Sequence, residues 1–468
     1  MPFRKSLSLD TFVIAIWISA LDIGLIAPSL TVIAADLGFP VRGVIWVIAL
    51  HLAVFVLALP LMELAASKAG KREWLFLSLF LFASGSFVAG SANTWLALIA
   101  GRVIQAVGAG GVVPVLSMEI RRITKIGQYW IRSAATMGLT GVVIAVPFLS
   151  STVTEFFGWR WLFWLSVGAA LAVFLWGFRF SLGGTLRTPP YHTEGLIYFA
   201  GILLSAMIAI SQLDPAKGWA AWIDPAFLPF AILTMGLPVP MLMVERQSKR
   251  PLFHPGWFTD LRLLNLFFVV TLAGCTWVAV VLVPGWMVAV GNQPAGTGGV
   301  YLSIVAATAW LSIPLARWAS EHWGCPGVLT AGFFATAASY FTLALVEERA
   351  VLAPVLAVLG FGLGLTLTSP VHRLLFEIVP FKQMRNGLMV LAMFRAAGGA
   401  LGLIAIGLFF YESTVFSDWA VTSTGLPELW KRGYQMGMLT AAGAAVIGFI
   451  LSLTLPLPKQ ENKASEAD

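Results

Sequence analysis

PLMELAASKAG, residues 60–70, returns as PLARWASEHWG, residues 314–324. Pro, Leu, Ala and Gly fall at matching places, with a constant offset of 254 residues. Each copy closes an apolar run long enough to cross a bilayer, so each stands at the same point of its half. A repeat of this size predicts two duplicated helical bundles facing one another, the plan of many secondary transporters. The competing reading is coincidence between two apolar stretches of low complexity.

Outward from the repeat, the whole chain reads as membrane-embedded. Its 468 residues are 59% hydrophobic and only 11% charged, and the mean hydropathy is +0.87. A soluble domain carries about 25% charged residues. A water-soluble core cannot hide this much apolar surface, so the solvent is lipid. The net charge of +7 is spread along the chain, which is not the clustered footprint of a nucleic-acid binder. Cys275 and Cys325 give no disulfide framework and read as packing residues. The chain has no N-x-[ST] sequon, which favours a bacterial source. MPFRKS and the apolar run after it read as an uncleaved first helix rather than a signal peptide.

Fourteen apolar runs of helical length occur, near 11–34, 43–66, 74–92, 96–118, 130–153, 161–182, 195–213, 226–244, 263–288, 295–316, 326–345, 350–371, 387–410 and 434–456. Continuous runs predict helices, because barrel strands would alternate with period two. The connecting segments alternate in charge. One side collects 21 of the 29 Lys and Arg residues, the other 6, and Arg102 and Arg395 lie inside spans. The positive-inside rule then places both termini in the cytoplasm, which requires an even number of spans. The expected architecture is an all-α membrane protein with a six-helix bundle over 1–184, two inserted helices with linkers over 185–256, a second six-helix bundle over 257–458 and a disordered tail over 459–468.

The stretch AIWISALDIGLIAPSL, residues 15–30, is apolar except for Asp22. A charge at the bilayer centre costs about 2.5–3.5 kcal/mol on insertion scales, so such a residue faces a cavity or a partner. His51 and Phe55 share a helical face at i, i+4. His51 is a candidate proton carrier or substrate donor, against the plainer reading of a buried neutral histidine. Gln105 follows Arg102 by one turn and is a candidate cavity residue. Arg395, in MFRAAGGALG, suits an anionic or carbonyl-bearing substrate, or equally the backbone carbonyls of a glycine-rich packing region. GAGG at 108–111 lies inside a span with no P-loop lysine after it, so it is no nucleotide loop. No cofactor or metal is expected.

Taken in order, these motifs resemble the major facilitator superfamily, and within it the fourteen-span branch of drug:proton antiporters. LDIGLIAPSL matches that branch's first-span motif at Leu21 and Asp22. The second span and its loop match at Trp46, Pro60, Leu61, Gly70, Lys71 and Arg72. GRVIQAVGAGGVVPV, residues 101–115, matches the fourth-span pattern at Arg102, Gln105, Gly108 and Gly110. GWRWLFWL at 158–165, GW at 218–219 and VERQSKRPLF at 244–253 fit the sixth span and the insert. The chain departs from the pattern at His51, Glu63 and Ser67, and its fifth-span antiporter motif, VPFLSS at 146–151, keeps only Pro147.

The resemblance implies proton-coupled transport by alternating access. It makes spans one and four neighbours and implies an Asp22–Arg102 pair as the coupling site, where burial and a nearby guanidinium pull the carboxyl pKa in opposite directions. A static ion pair is the alternative. Glu63 and Arg317 occupy the same slot of the two repeats, and each is expected to pair with a charge on the opposite bundle when the inside is closed; Glu321 is expected among the gating residues too. Snorkelling to the interface explains them as well. Gly70, Lys71 and Arg72 resemble the loop motif that tightens a turn and contacts the anionic leaflet. Trp277 falls in a cavity-lining span, where a deep aromatic suits flat or cationic ligands.

The resulting expectation is export of small amphipathic or aromatic compounds against protons, with a periplasmic adaptor as a further partner. The weakened fifth-span motif raises a second reading, uptake of an aromatic nutrient such as a riboflavin-like vitamin. A lipid flippase on the same fold is a remoter alternative. A membrane enzyme would need converging acids or histidines near the surface, and the short outer loops hold none.

Overall fold

The structure, a computed structural model, describes residues 24–39, 41–66, 71–124, 129–177, 192–289, 294, 296–367, 369–410 and 426–455. Every described element is helical. The helices are α1 Leu30–Leu37, α2 Val41–Ala66, α3 Lys71–Gly90, α4 Trp95–Thr124, α5 Tyr129–Phe157, α6 Arg160–Gly177, α7 Glu194–Gln212, α8 Leu228–Gly236, α9 Pro238–Gln247, α10 Leu261–Val278, α11 Leu282–Ala289, α12 Gly299–His322, α13 Gly324–Leu345, α14 Arg349–Leu367, α15 Ser369–Ile378, α16 Met384–Gly407 and α17 Leu426–Leu453. In lipid, a helix satisfies its backbone N–H and C=O groups internally, so apolar runs of this length have no other simple solution.

Among the described residues, eleven helices are long and apolar enough to cross a membrane, or twelve when the bent pair α5–α6 is taken as one span. That pair turns through 120° at Gly158, whose φ of 88° favours glycine. Residues 24–37 add a shorter apolar helix. The count of fourteen is therefore an inference beyond these eleven or twelve. Some expected spans are broken locally. Span nine tightens to a 3₁₀ turn at Ala279–Val281, where Pro284 has no N–H to continue the α-helical ladder.

The repeat is visible in the packing. In the first half, α2 packs on α4, α4 on α3, and α3 on α6. In the second half, α12 packs on α14, α14 on α13, and α13 on α17. The quoted stretches occupy equivalent ends, with Pro60 inside α2 and Pro314 inside α12. The closing glycine of the second copy, Gly324, has φ 77° and opens α13 directly after α12. Its counterpart, Gly70, lies outside the described residues.

The halves meet along two seams, α2 against α16 and α5 against α12. The repeat maps α2 onto α12, so the two seams are the same contact made twice with the halves exchanged. Lipid is as apolar as leucine, so close packing of small residues drives such contacts. At Gly299, the first residue of α12, a Cβ would overlap the Pro147 carbonyl oxygen of α5. The Gly299 N–H instead donates to Ser151 Oγ at 2.8 Å.

Helix α7 lies over the α2–α16 seam. Helix α7 touches both α16 and α2, and the Arg42 side chain of α2 donates to the Ser211 carbonyl of α7. Phe199 of α7 stacks on Phe253 at 5.2 Å and meets Phe394 of α16 edge-on at 6.0 Å. Helices α8 and α9 turn most of their surface outward.

Candidate functional site

The polar core of the first half begins on α4. Arg102 stands about two turns in from Trp95 and is 1% exposed. Its Nη1 donates to Gln105 Oε1 at 2.7 Å. Gln105 Nε2 donates to Ser86 Oγ at 3.0 Å, and the Ser86 hydroxyl donates to the Phe82 carbonyl at 2.8 Å. The local sequence explains how Ser86 comes within reach. Its neighbour Gly85 has no Cβ, and a Cβ there would overlap the Gln105 backbone N. Helices α3 and α4 therefore touch backbone to backbone at this level. His51 Nδ1 donates to the Arg102 carbonyl at 3.1 Å, which orients the ring with Nδ1 protonated and leaves Nε2 as the acceptor of the neutral tautomer. His51, Arg102 and Gln105 thus form one buried cluster from α2 and α4. An unpaired amide or guanidinium in lipid would be costly, and this relay removes that cost for Gln105.

The other expected site residues are distributed as follows. Asp22 lies outside the described residues, as does Gly70. Lys71 and Arg72 open α3, with side chains outside the described set. Phe55 is partly buried against an apolar cluster of the first half. Trp277 of α10 is partly buried against the main core. Pro147 sits at the α5–α12 seam, as described above. Arg395 of α16 has two buried nitrogens, Nε and Nη2, with no hydrogen-bond partner among the described residues.

Among the expected gating charges, Glu63 and Arg317 differ. Glu63, near the end of α2, accepts from Arg385 Nε of α16 at 2.9 Å, and Arg385 Nη2 reaches the same oxygen. This ion pair joins the two halves at the end that carries most Lys and Arg residues, here the basic end. Arg317 is exposed on α12 and forms no ion pair among the described residues. Glu321 pairs with Arg373 Nη2 of α15 at 2.9 Å, inside one half.

Sequence reading missed Arg385, Ser86 and Arg373, because each partner comes from a distant element and no spacing rule links them. It also missed Glu245 of α9, whose buried carboxylate lies beside Gly195 of α7. At the opposite end the first half carries a polar contact and an ion pair of its own. Ser29 Oγ meets Thr154 Oγ1 at 2.6 Å. The Arg160 guanidinium reaches Asp36 at 2.5 Å and lies 4.5 Å from the centre of the Trp159 ring. Near that end a narrow apolar cavity lies between Ile45 and Ile48 of α2, Leu282 of α11, Leu403 of α16 and Tyr434 of α17.

Two repeated bundles, seams related by the repeat and buried charge within the spans define a membrane transporter. The Major Facilitator Superfamily model matches residues 12–403, and the chain belongs to that family. It is 22% identical over 421 residues to the multidrug transporter protein MdtP of Bacillus subtilis (strain 168), a match covering 86% of this chain and 75% of the relative. It is 22% identical over 463 residues to the riboflavin transporter RibZ of Clostridioides difficile (strain 630), covering 96% and 97%. The crystal structure of the nucleoside transporter NupG has the same fold, with a TM-score of 0.63, 14% identity, and 95% and 98% of the two chains covered. A bacterial homologue of the lysosomal transporter Spinster, inward-facing and occupied, gives a TM-score of 0.66, 14% identity, and 96% of each chain. The chain is a multi-pass membrane transporter of small molecules, not an enzyme.

Proposed function

We propose that this protein is a proton-coupled exporter of small amphipathic or aromatic compounds in the bacterial plasma membrane. It has fourteen spans, both termini in the cytoplasm, and works by alternating access. The observation that carries the reading is the Glu63–Arg385 pair across the α2–α16 seam at the basic end. A contact of this kind holds one end shut and must break for that end to open, which is the requirement of alternating access. The buried cluster of Arg102, Gln105 and His51 lies above it in the first half. Asp22 on span one supplies the proton-exchanging carboxyl, with its charge balanced by Arg102. A periplasmic adaptor belongs to the same exporter reading.

Uptake of a riboflavin-like compound is the second reading. It draws support from the end-to-end match with a riboflavin transporter and from the reduced fifth-span motif, where Ser151 caps Gly299 instead.

The test is proton flux in proteoliposomes with a trapped pH dye, with ethidium, uncharged drugs and riboflavin added in turn. Export predicts protons moving opposite to the compound in the native protein and no coupled flux in Asp22→Asn. Equal flux and pH dependence in that variant would make Asp22 structural. Entry of riboflavin without counter-moving protons would select uptake.

A further inference from the structure

Arg395 stands about three turns into α16, in the middle of its span. Its Nε and Nη2 are buried and make no hydrogen bond among the described residues. A guanidinium carries five donors in a fixed fork and stays charged in a protein. In lipid, such a group is retained where something answers it. The charge inventory points the same way. The mid-span charges of the sequence are Asp22, Arg102 and Arg395. Along the sequence, one mid-span carboxylate stands against two mid-span guanidiniums, so one positive charge is left over.

The position of Arg395 is set by packing. Its backbone carbonyl lies against Gly274 of α10, where a Cβ would overlap it. One turn further along α16, a Cβ on Gly399 would meet Val278 of α10 at 2.6 Å and Leu52 of α2 at 3.5 Å. This part of α16 therefore lies against α10 of its own half, with α2 of the first half at its edge. One turn nearer the basic end on these two facing helices stand Phe55 on α2 and Arg395 on α16. Trp277 follows Gly274 by three residues on α10. Phe394, the neighbour of Arg395, stacks on Phe267 at 4.9 Å, so the adjacent ring belongs to the packing core.

We propose that Arg395 is the anion-binding element of the transport site. The transported compound carries a carboxylate, phosphate or sulfonate that the guanidinium fork takes up at mid-span, with a flat apolar body alongside Phe55 and Trp277. Resting on the transporter reading above, this narrows the substrate class from amphipathic compounds in general to organic anions.

The experiment measures binding apart from transport. The full-length protein is placed in nanodiscs of phosphatidylcholine alone, and of phosphatidylcholine mixed with phosphatidylglycerol. Fluorescence polarisation follows fluorescein as the aromatic carboxylate, riboflavin as the uncharged ring and ethidium as the cation. The expected result is saturable fluorescein binding in both discs. It weakens roughly tenfold to a hundredfold in Arg395→Gln and less in Arg395→Lys, which keeps the charge and loses the fork. Thermal unfolding of both variants checks that they are folded; Arg395→Lys carries the test if Arg395→Gln is not. Native binding of ethidium alone, or fluorescein binding unchanged in a folded variant, overturns the proposal. Loss of fluorescein binding in the phosphatidylglycerol discs also overturns it, because the site then belongs to a lipid headgroup. Arg395-dependent binding without proton flux keeps the anion site and removes the antiport reading. Ethidium-driven flux indifferent to Arg395 does the reverse.

Discussion

Asp260 precedes α10 and closes its first turn. Its carboxylate accepts from the Arg262 backbone N–H at 2.9 Å, and the Arg262 guanidinium folds back onto the same side chain. The Arg262 side-chain hydrogen bonds hold the Asp260 carboxyl below the usual carboxylate range, partly opposed by burial. A depressed folded pKa gives stabilisation that is complete above the ordinary value of 3.8 and is lost as pH falls through the folded value. Asp260→Ala should therefore lower stability by about 1 kcal/mol at neutral pH. The difference from the native protein should vanish once the carboxyl is protonated. Thermal unfolding midpoints in detergent at the two pH values check this, and a difference that persists in acid would sink the argument. At this scale the sequence was legible where partners are close along the chain. Arg102 and Gln105 are three residues apart, so their contact could be anticipated from helical spacing. Ser86, the next member of the relay, could not, because its helix is brought there by Gly85.

Among elements, glycine sets the distance between helices. Gly299 stands at the α5–α12 seam against the Pro147 carbonyl, whereas Gly443 in α17 has open space around its Cα. Gly299→Ala should push α12 from α5 and break the Ser151 contact, lowering both transport rate and thermal stability. Gly443→Ala should be neutral or stabilise by up to about 1 kcal/mol, since alanine is the better helix former. Parallel unfolding and proteoliposome transport of the two variants decide the matter; equal effects would mean that the seam tolerates an added methyl group. The apolar runs foretold these helices well, because in lipid length and hydropathy almost suffice. Their internal breaks, such as the 3₁₀ turn before Pro284, were less visible, since a proline can be absorbed in several ways.

Across the whole molecule, the Glu63–Arg385 pair is a charged contact that ties the two halves at the basic end. The Glu63 side chain is 10% exposed and the Arg385 side chain 29%, so solvent screens the pair only in part. Glu63→Gln should favour opening of that end by roughly tenfold. It should be read as faster labelling of cysteines introduced near the α2–α16 seam. The exchange Glu63→Arg with Arg385→Glu should restore slow labelling. If the exchanged protein labels as fast as the single variant, the pair is not a latch. The repeat at 60–70 and 314–324, with the apolar runs between, determined by itself that the chain is a duplicated helical membrane protein. It did so because hydropathy and helical period are local properties written along the chain. The tertiary structure alone decided that Glu63 meets Arg385 while Arg317 stands exposed, and that Ser86 completes the relay from Arg102. Those partners lie on different helices, and for Ser86 the meeting depends on Gly85, which lets two backbones touch.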